Sequence, residues 1–152
     1  MRVTTWTEYS LIIALHLARR KTSGEPTAAR ELSESERLPA DYVEQILLRL
    51  RRAGLVESVR GARGGYRLAR PPERITVRDV MAACEHQTFE LNCTSHPVDA
   101  ERCDPSSTCS IRPVFHALQH RVDQFLSGIT LADLLRERPA EPVLVPLRSS
   151  VG

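Results

Sequence analysis

The 152-residue sequence lacks any long hydrophobic run. The apolar stretch near its amino terminus, Leu11 to Ala18, follows Glu8 and ends in Arg19-Arg20-Lys21. It is too short to span a bilayer and lacks the small-residue flank of an export signal. The expectation is a cytoplasmic protein with no membrane partner. In a reducing compartment metal binding or thiol chemistry is favoured over a structural disulfide framework for the four cysteines. Also missing are internal repeats, a phosphate-binding loop and any set of nucleophile, base and orienting group, so an enzyme is not expected. Lysine is nearly absent, with Lys21 alone among 21 basic residues.

What is present fits one core plus an appendage, because 152 residues at 41% hydrophobic content can hardly bury two. The formal charge of +2 hides a concentration: eight arginines lie between Arg49 and Arg74, against only Glu57 and Glu73. Such density is the footprint of a phosphate-binding surface, the plain alternative being a solvated basic face.

Thr5-Trp6-Thr7-Glu8 matches a Thr-x-x-Glu capping box and predicts a first helix from about Thr7 to Arg20. Thr27 is expected to cap a short second helix, with Ser33 to Leu38 as a turn. Pro39 suits a first helical position. After it Val43, Ile46, Leu47 and Leu50 trace an i, i+3, i+4, i+7 stripe that ends at Gly54. Leu55 to Val59 and Tyr66 to Ala69 read as strands of a hairpin around Arg60-Gly61-Ala62-Arg63-Gly64-Gly65. Three helices and a hairpin make a winged helix-turn-helix.

Thr76 is expected to cap another short helix with Val77, Val80 and Met81 inward, and Cys84 there reads as a buried core thiol. Residues 85–108 show no period. In the helix from Pro113 to Ser127, Val114, Phe115, Leu118, Val122, Phe125 and Leu126 form a stripe wider than one small core needs, which points to a helix–helix homodimer contact. Thr130 caps a last short helix through Leu135. The fold class is therefore mainly α with a small β-hairpin wing, a winged helix-turn-helix domain plus a long C-terminal dimerisation helix. The expected division is 1–75 for DNA binding, 76–135 for the cysteine loop and dimerisation helix, and 136–152 as a mobile tail.

On the outer face of the third helix stand Asp41, Tyr42, Glu44, Gln45, Arg49 and Arg52. Glu accepts from cytosine N4 and Gln can pair with adenine, so Glu44 and Gln45 are candidate base readers. Arg60 and Arg63 on the hairpin suit phosphates or a narrow minor groove. The bland reading pairs Glu44 and Gln45 with Arg49 and Arg52 along the helix. Helix, hairpin and dimer stripe together favour double-stranded DNA, with a pseudo-palindromic operator to match the two-fold.

These residues carry a resemblance. Tyr42-Val43-Glu44-Gln45, Leu50-Arg51-Arg52-Ala53-Gly54-Leu55-Val56 and Val59-Arg60-Gly61-Ala62-Arg63-Gly64-Gly65-Tyr66 resemble the Rrf-type family of bacterial regulators, from Met1 to about Leu135. The resemblance implies that Glu44 reads bases and that Arg60 enters the minor groove.

Cys93, Cys103 and Cys109 are separated by nine and five residues. Soft thiolates select zinc, copper(I) or iron-sulfur clusters. Structural zinc favours close Cys-x(2–4)-Cys pairs, and their absence argues for a cluster. A zinc-stabilised interaction module completed by His96 or His116 and a thiol-disulfide switch remain the alternatives. The resemblance implies an iron-sulfur cluster, 2Fe-2S or 4Fe-4S, and a sensor of cluster status, nitric oxide or redox state. It also implies a departure. The best-known members place a histidine ligand three residues after the last cysteine, where this chain has Arg112, which cannot ligate. Members that use an acidic residue near the amino terminus point to Glu8, reaching over from the partner subunit, as the fourth ligand, with His116 and His96 as the other available donors.

Overall fold

The computed structural model describes residues 3–20, 24–85, 99 and 109–136. Cys93, Cys103, His96 and the tail from residue 137 lie outside the described residues. The order is α1 (Thr5–Arg20), α2 (Ala29–Glu36), α3 (Ala40–Arg52), β1 (Val56–Val59), β2 (Gly65–Leu68), a 3-10 turn (Pro72–Arg74), α4 (Val77–Cys84), α5 (Ile111–Ser127) and α6 (Leu131–Leu135).

The helix α3 forms because its apolar residues recur at helical spacing without a β-branched run. Val43, Ile46, Leu47 and Leu50 are all fully buried, each worth about 1.5–3 kcal/mol relative to exposure. They meet Ile13 and Leu17 of α1, Leu32 of α2, Ile75, Val80 of α4 and Leu131 of α6 in one core. Gly54, at φ 68°, ends the helix in the left-handed region that disfavours other residues. The chain then turns into β1, which pairs antiparallel with β2 in the register Val56 to Leu68 through Val59 to Gly65.

Three local expectations are corrected. The first helix begins at Thr5 and is capped by Thr4 rather than Thr5: Glu8 N–H donates to Thr4 O at 3.1 Å and Thr7 N–H to Thr4 Oγ1 at 3.4 Å. The shift by one residue takes Glu8 out of the capping position. Thr27 caps nothing. It is buried and forms a bridge with Tyr66, its N–H donating to Tyr66 O at 2.9 Å and its carbonyl accepting from Tyr66 N–H at 2.8 Å, so that residue 27 extends the wing sheet beyond β2. The turn expected at Ser33 is helix as far as Glu36. Arg37 then adopts φ 54° and donates its N–H to Ser33 O, which delivers Leu38 into the core. Burial of Leu38 offsets the roughly 1–2 kcal/mol of a left-handed non-glycine residue.

Thr76 and Thr130 each head a capping box, with Asp79 and Asp133 as the acidic partners. The two threonines also face each other in a β-bridge, where Val77 N–H donates to Ile129 O and Leu131 N–H to Ile75 O, both at 2.9 Å. Chain leaving the body at residue 76 and chain returning at residue 130 are thereby joined. The helix α5 rests on α4, held by the Arg78–Asp123 pair at 3.2 Å.

Candidate nucleic-acid interface and thiol site

Asp41, Glu44, Gln45 and Arg52 are exposed on α3, as are Arg60 and Arg63 on the β1–β2 turn. Among the described residues none of the six forms an ion pair. The bland pairing of Glu44 with a helix arginine is therefore absent, and the groups are open to a polar partner. Arg67 differs, because Glu57 opposite it in the sheet takes its charge at 2.6 Å.

Close backbone approach sets the wing's shape. A Cβ on Gly64 would lie 2.4 Å from Val59 O and 2.9 Å from Gly61 O, and one on Gly65 would lie 2.5 Å from Thr27 O. Both positions require glycine, and between β1 and this pair the turn presents Arg60 and Arg63 to solvent.

Tyr42 and Arg49, also expected among the DNA contacts, are half-buried and make contacts within the protein. The Tyr42 ring packs on Trp6 at 4.9 Å and edge-on to Tyr9 at 5.5 Å. The Arg49 guanidinium lies over the Trp6 ring, 4.3 Å from its centroid, and its Nη1 donates to the backbone carbonyl of Cys84. Residues seven apart share a helix face, so the sequence places Tyr42 and Arg49 together. That Trp6 would sit between them was not read from it.

Of the proposed ligands, Glu8 is exposed on α1, and its carboxylate has no hydrogen bond or ion pair among the described residues. Cys109 is half-buried, two residues ahead of α5, and His116 is exposed one turn inside that helix. No three His, Cys, Asp or Glu side chains among the described residues are grouped to hold a metal ion, so one protomer does not unite Glu8, Cys109 and His116. Cys84 is buried in the core, as expected. Burial pushes its thiol pKa up, against smaller lowering effects of the Ser10 hydroxyl and the Arg49 charge.

On α5, Ile111, Val114, Phe115, Leu118 and Phe125 are 41–65% exposed, and no α5 residue is buried. Beside them, an apolar groove of about 470 Å³ runs between α1, α4 and α5, lined by Val3, Leu11, Val77, Met81, Val122 and Phe125. No helix among the described residues is long and apolar enough to cross a membrane.

Comparison with known proteins agrees with this geometry. Residues 3–137 match the family described as Rrf2, iron-dependent transcriptional regulator. The transcriptional regulator IscR of Photobacterium profundum is 34% identical over 143 residues, covering 94% of this chain and 80% of that protein. Among solved structures, IscR of T. potens superposes with a TM-score of 0.71 at 30% identity, covering 90% of this chain and 87% of the other. CymR, the global cysteine regulator of B. subtilis, gives 0.71 at 28% identity, covering 91% and 99%. Winged helix, arginine turn and matched length converge, and the chain belongs to the Rrf2 family of transcriptional regulators.

Proposed function

We propose that this regulator is a cytoplasmic homodimer that reads a pseudo-palindromic operator and adjusts its grip according to an iron-sulfur cluster. The observation that carries the reading is the polar set on α3 and the wing, unpaired among the described residues and joined through α4 to a segment that holds three thiols. Asp41, Glu44, Gln45 and Arg52 face the major groove, with Glu44 and Gln45 at base edges. Arg60 and Arg63 hold the flanking phosphates or minor groove.

The donor chemistry fits a cluster. Thiolates are the usual cluster ligands, the chain offers three at Cys93, Cys103 and Cys109, and the Glu8 carboxylate is unengaged among the described residues. Those three cysteines would hold the cluster, 2Fe-2S or 4Fe-4S, with Glu8 of the partner subunit as the fourth ligand. When bound, such a cluster supplies an iron site with one displaceable oxygen ligand, open to nitric oxide, oxygen or exchange. The chain's own part is mechanical. Ligation by Cys109 would fix the foot of α5, and the exposed α5 stripe, packed on its two-fold copy, would set the spacing of the two α3 helices. A coupling of about 1–3 kcal/mol, roughly 5- to 150-fold in operator affinity, suffices.

The likeness to a cysteine regulator favours a second reading, in which two of the three loop thiols form a reversible disulfide. Anaerobic purification with iron, sulfide and zinc counts and an absorption spectrum separates the two. A colourless protein after anaerobic reconstitution would end the cluster reading, and reversible loss of two titratable thiols under peroxide would favour the disulfide. Glu8→Ala is expected to alter the cluster spectrum and its lability, while His116→Ala is not. The reverse result reassigns the fourth ligand.

A further inference from the structure

We infer that Arg49 is the positioning residue through which the thiol-bearing segment acts on the DNA-reading helix. The inference rests on the sensing function proposed above. Three observations meet at this side chain.

The first is a carbonyl. The last turn of any helix leaves carbonyls without intrahelical partners. In α4 that turn ends at Cys84, whose carbonyl accepts from Arg49 Nη1. A cation at this end of a helix also meets the negative end of its dipole. Cys84 is the last residue of α4, and Cys93 follows nine positions later. Arg49 thus pins the chain where the thiol-bearing segment departs.

The second is a ring. The same guanidinium lies on Trp6 at 4.3 Å, and Trp6 belongs to α1, two residues from Glu8. A single side chain therefore touches both helices that lead toward the proposed ligands, α4 toward the cysteines and α1 through Glu8.

The third is a second contact of Trp6, which also packs on Tyr42 at 4.9 Å, and Tyr42 packs on Tyr9 at 5.5 Å. Tyr42 lies between Asp41 and Glu44, two turns from Arg49 along α3. Trp6 is consequently gripped by α3 at two points. A shift of α1 or of the α4 terminus moves the base-reading end of α3 without any contact between thiols and DNA. The planar fork of arginine, which stacks and donates at once, is what the arrangement uses, and lysine does not reproduce it.

The test uses the full-length dimer, reconstituted anaerobically with iron(II) and sulfide or stripped with a chelator. Affinity for a duplex selected in vitro by the wild type is read by fluorescence anisotropy. The quantity of interest is the ratio of affinities between the two forms, expected within about 5- to 150-fold for the wild type. Arg49→Met is expected to bring the ratio to about one, and Arg49→Lys to an intermediate value. A residue that only touches phosphate, or only stabilises the fold, lowers both affinities by a common factor and keeps the ratio. A wild-type ratio preserved in Arg49→Met overturns the relay alone. A wild-type ratio of one ends the sensing function, and the relay with it. Should Arg49→Met lose its near-ultraviolet circular dichroism, Arg49→Lys carries the decision, and an unchanged ratio there overturns the relay.

Discussion

Replacing Gly65 by alanine should destabilise the protein far more than a surface glycine would suggest. The new Cβ would lie 2.5 Å from the carbonyl carbon and oxygen of Thr27 and 2.8 Å from Ala28 N, all backbone atoms that cannot swing aside. Relief requires parting β2 from Thr27, which breaks the two hydrogen bonds at 2.8 and 2.9 Å between Thr27 and Tyr66. Because Thr27 is fully buried, its N–H and carbonyl gain no water in exchange. At about 1–3 kcal/mol for each of the two orphaned Thr27 groups, the loss is roughly 2–6 kcal/mol, a large part of a typical 5–15 kcal/mol total. Gly54→Ala is the control. Gly54 has φ 68° but nothing within 4 Å of its Cβ position, so only the left-handed conformation is penalised, by about 1–2 kcal/mol. Urea denaturation of both variants at one protein concentration measures the difference. A Gly65→Ala protein as stable as Gly54→Ala would refute the steric argument, and with it the view that the Thr27 bridge fixes the wing.

Other consequences are as direct. Arg60→Ala with Arg63→Ala should weaken DNA binding and lower the slope of log affinity against log salt by up to about 4 for the dimer, at about 0.9 per lost phosphate contact; an unchanged slope removes both from the interface. Glu44→Ala should relax base preference by about 1–3 kcal/mol at one position of each half-site, and equal weakening on random duplex would end its reading role. Phe115→Asp with Leu118→Asp should yield a monomer in sedimentation equilibrium, and a persistent dimer would place the two-fold elsewhere. Because burial raises the Cys84 thiol pKa, its contribution to stability is full below the ordinary thiol value of about 8.5 and is lost as pH rises from there through the folded value. Cys84→Ala should flatten that decline in urea midpoints between neutral and alkaline pH, and identical profiles would contradict the burial.

Signals that act within one turn of chain were legible in the sequence. Thr76 and Thr130 declared their helices because a capping threonine reaches a backbone N–H three residues on. The α3 stripe declared its buried face because 3.6-residue periodicity needs no partner to be seen. Thr27 misled for a complementary reason. As a helix cap it is locally sensible, but its partner Tyr66 is 39 positions away in the chain and pairing at that range leaves no local trace. Tyr42 and Arg49 read as DNA contacts because polar groups on an amphipathic helix look outward. Only the α1 packing revealed Trp6 between them.

The bridge between Thr76 and Thr130 decides where the chain tolerates change. Chain leaves and re-enters the winged helix there through a neck closed with two backbone hydrogen bonds, and α4 just inside the neck is packed into the core through Val80 and Cys84. Lengthening or shortening the chain between α4 and α5 leaves the two anchoring threonines where they are, so such a change transmits no strain to the core by connectivity alone. The arrangement resembles an interchangeable cartridge in a fixed socket. Laboratory chimaeras that exchange only the stretch between α4 and α5 are expected to keep the winged helix intact, whereas a cut at residue 76 also removes Val80 and Cys84 from the core.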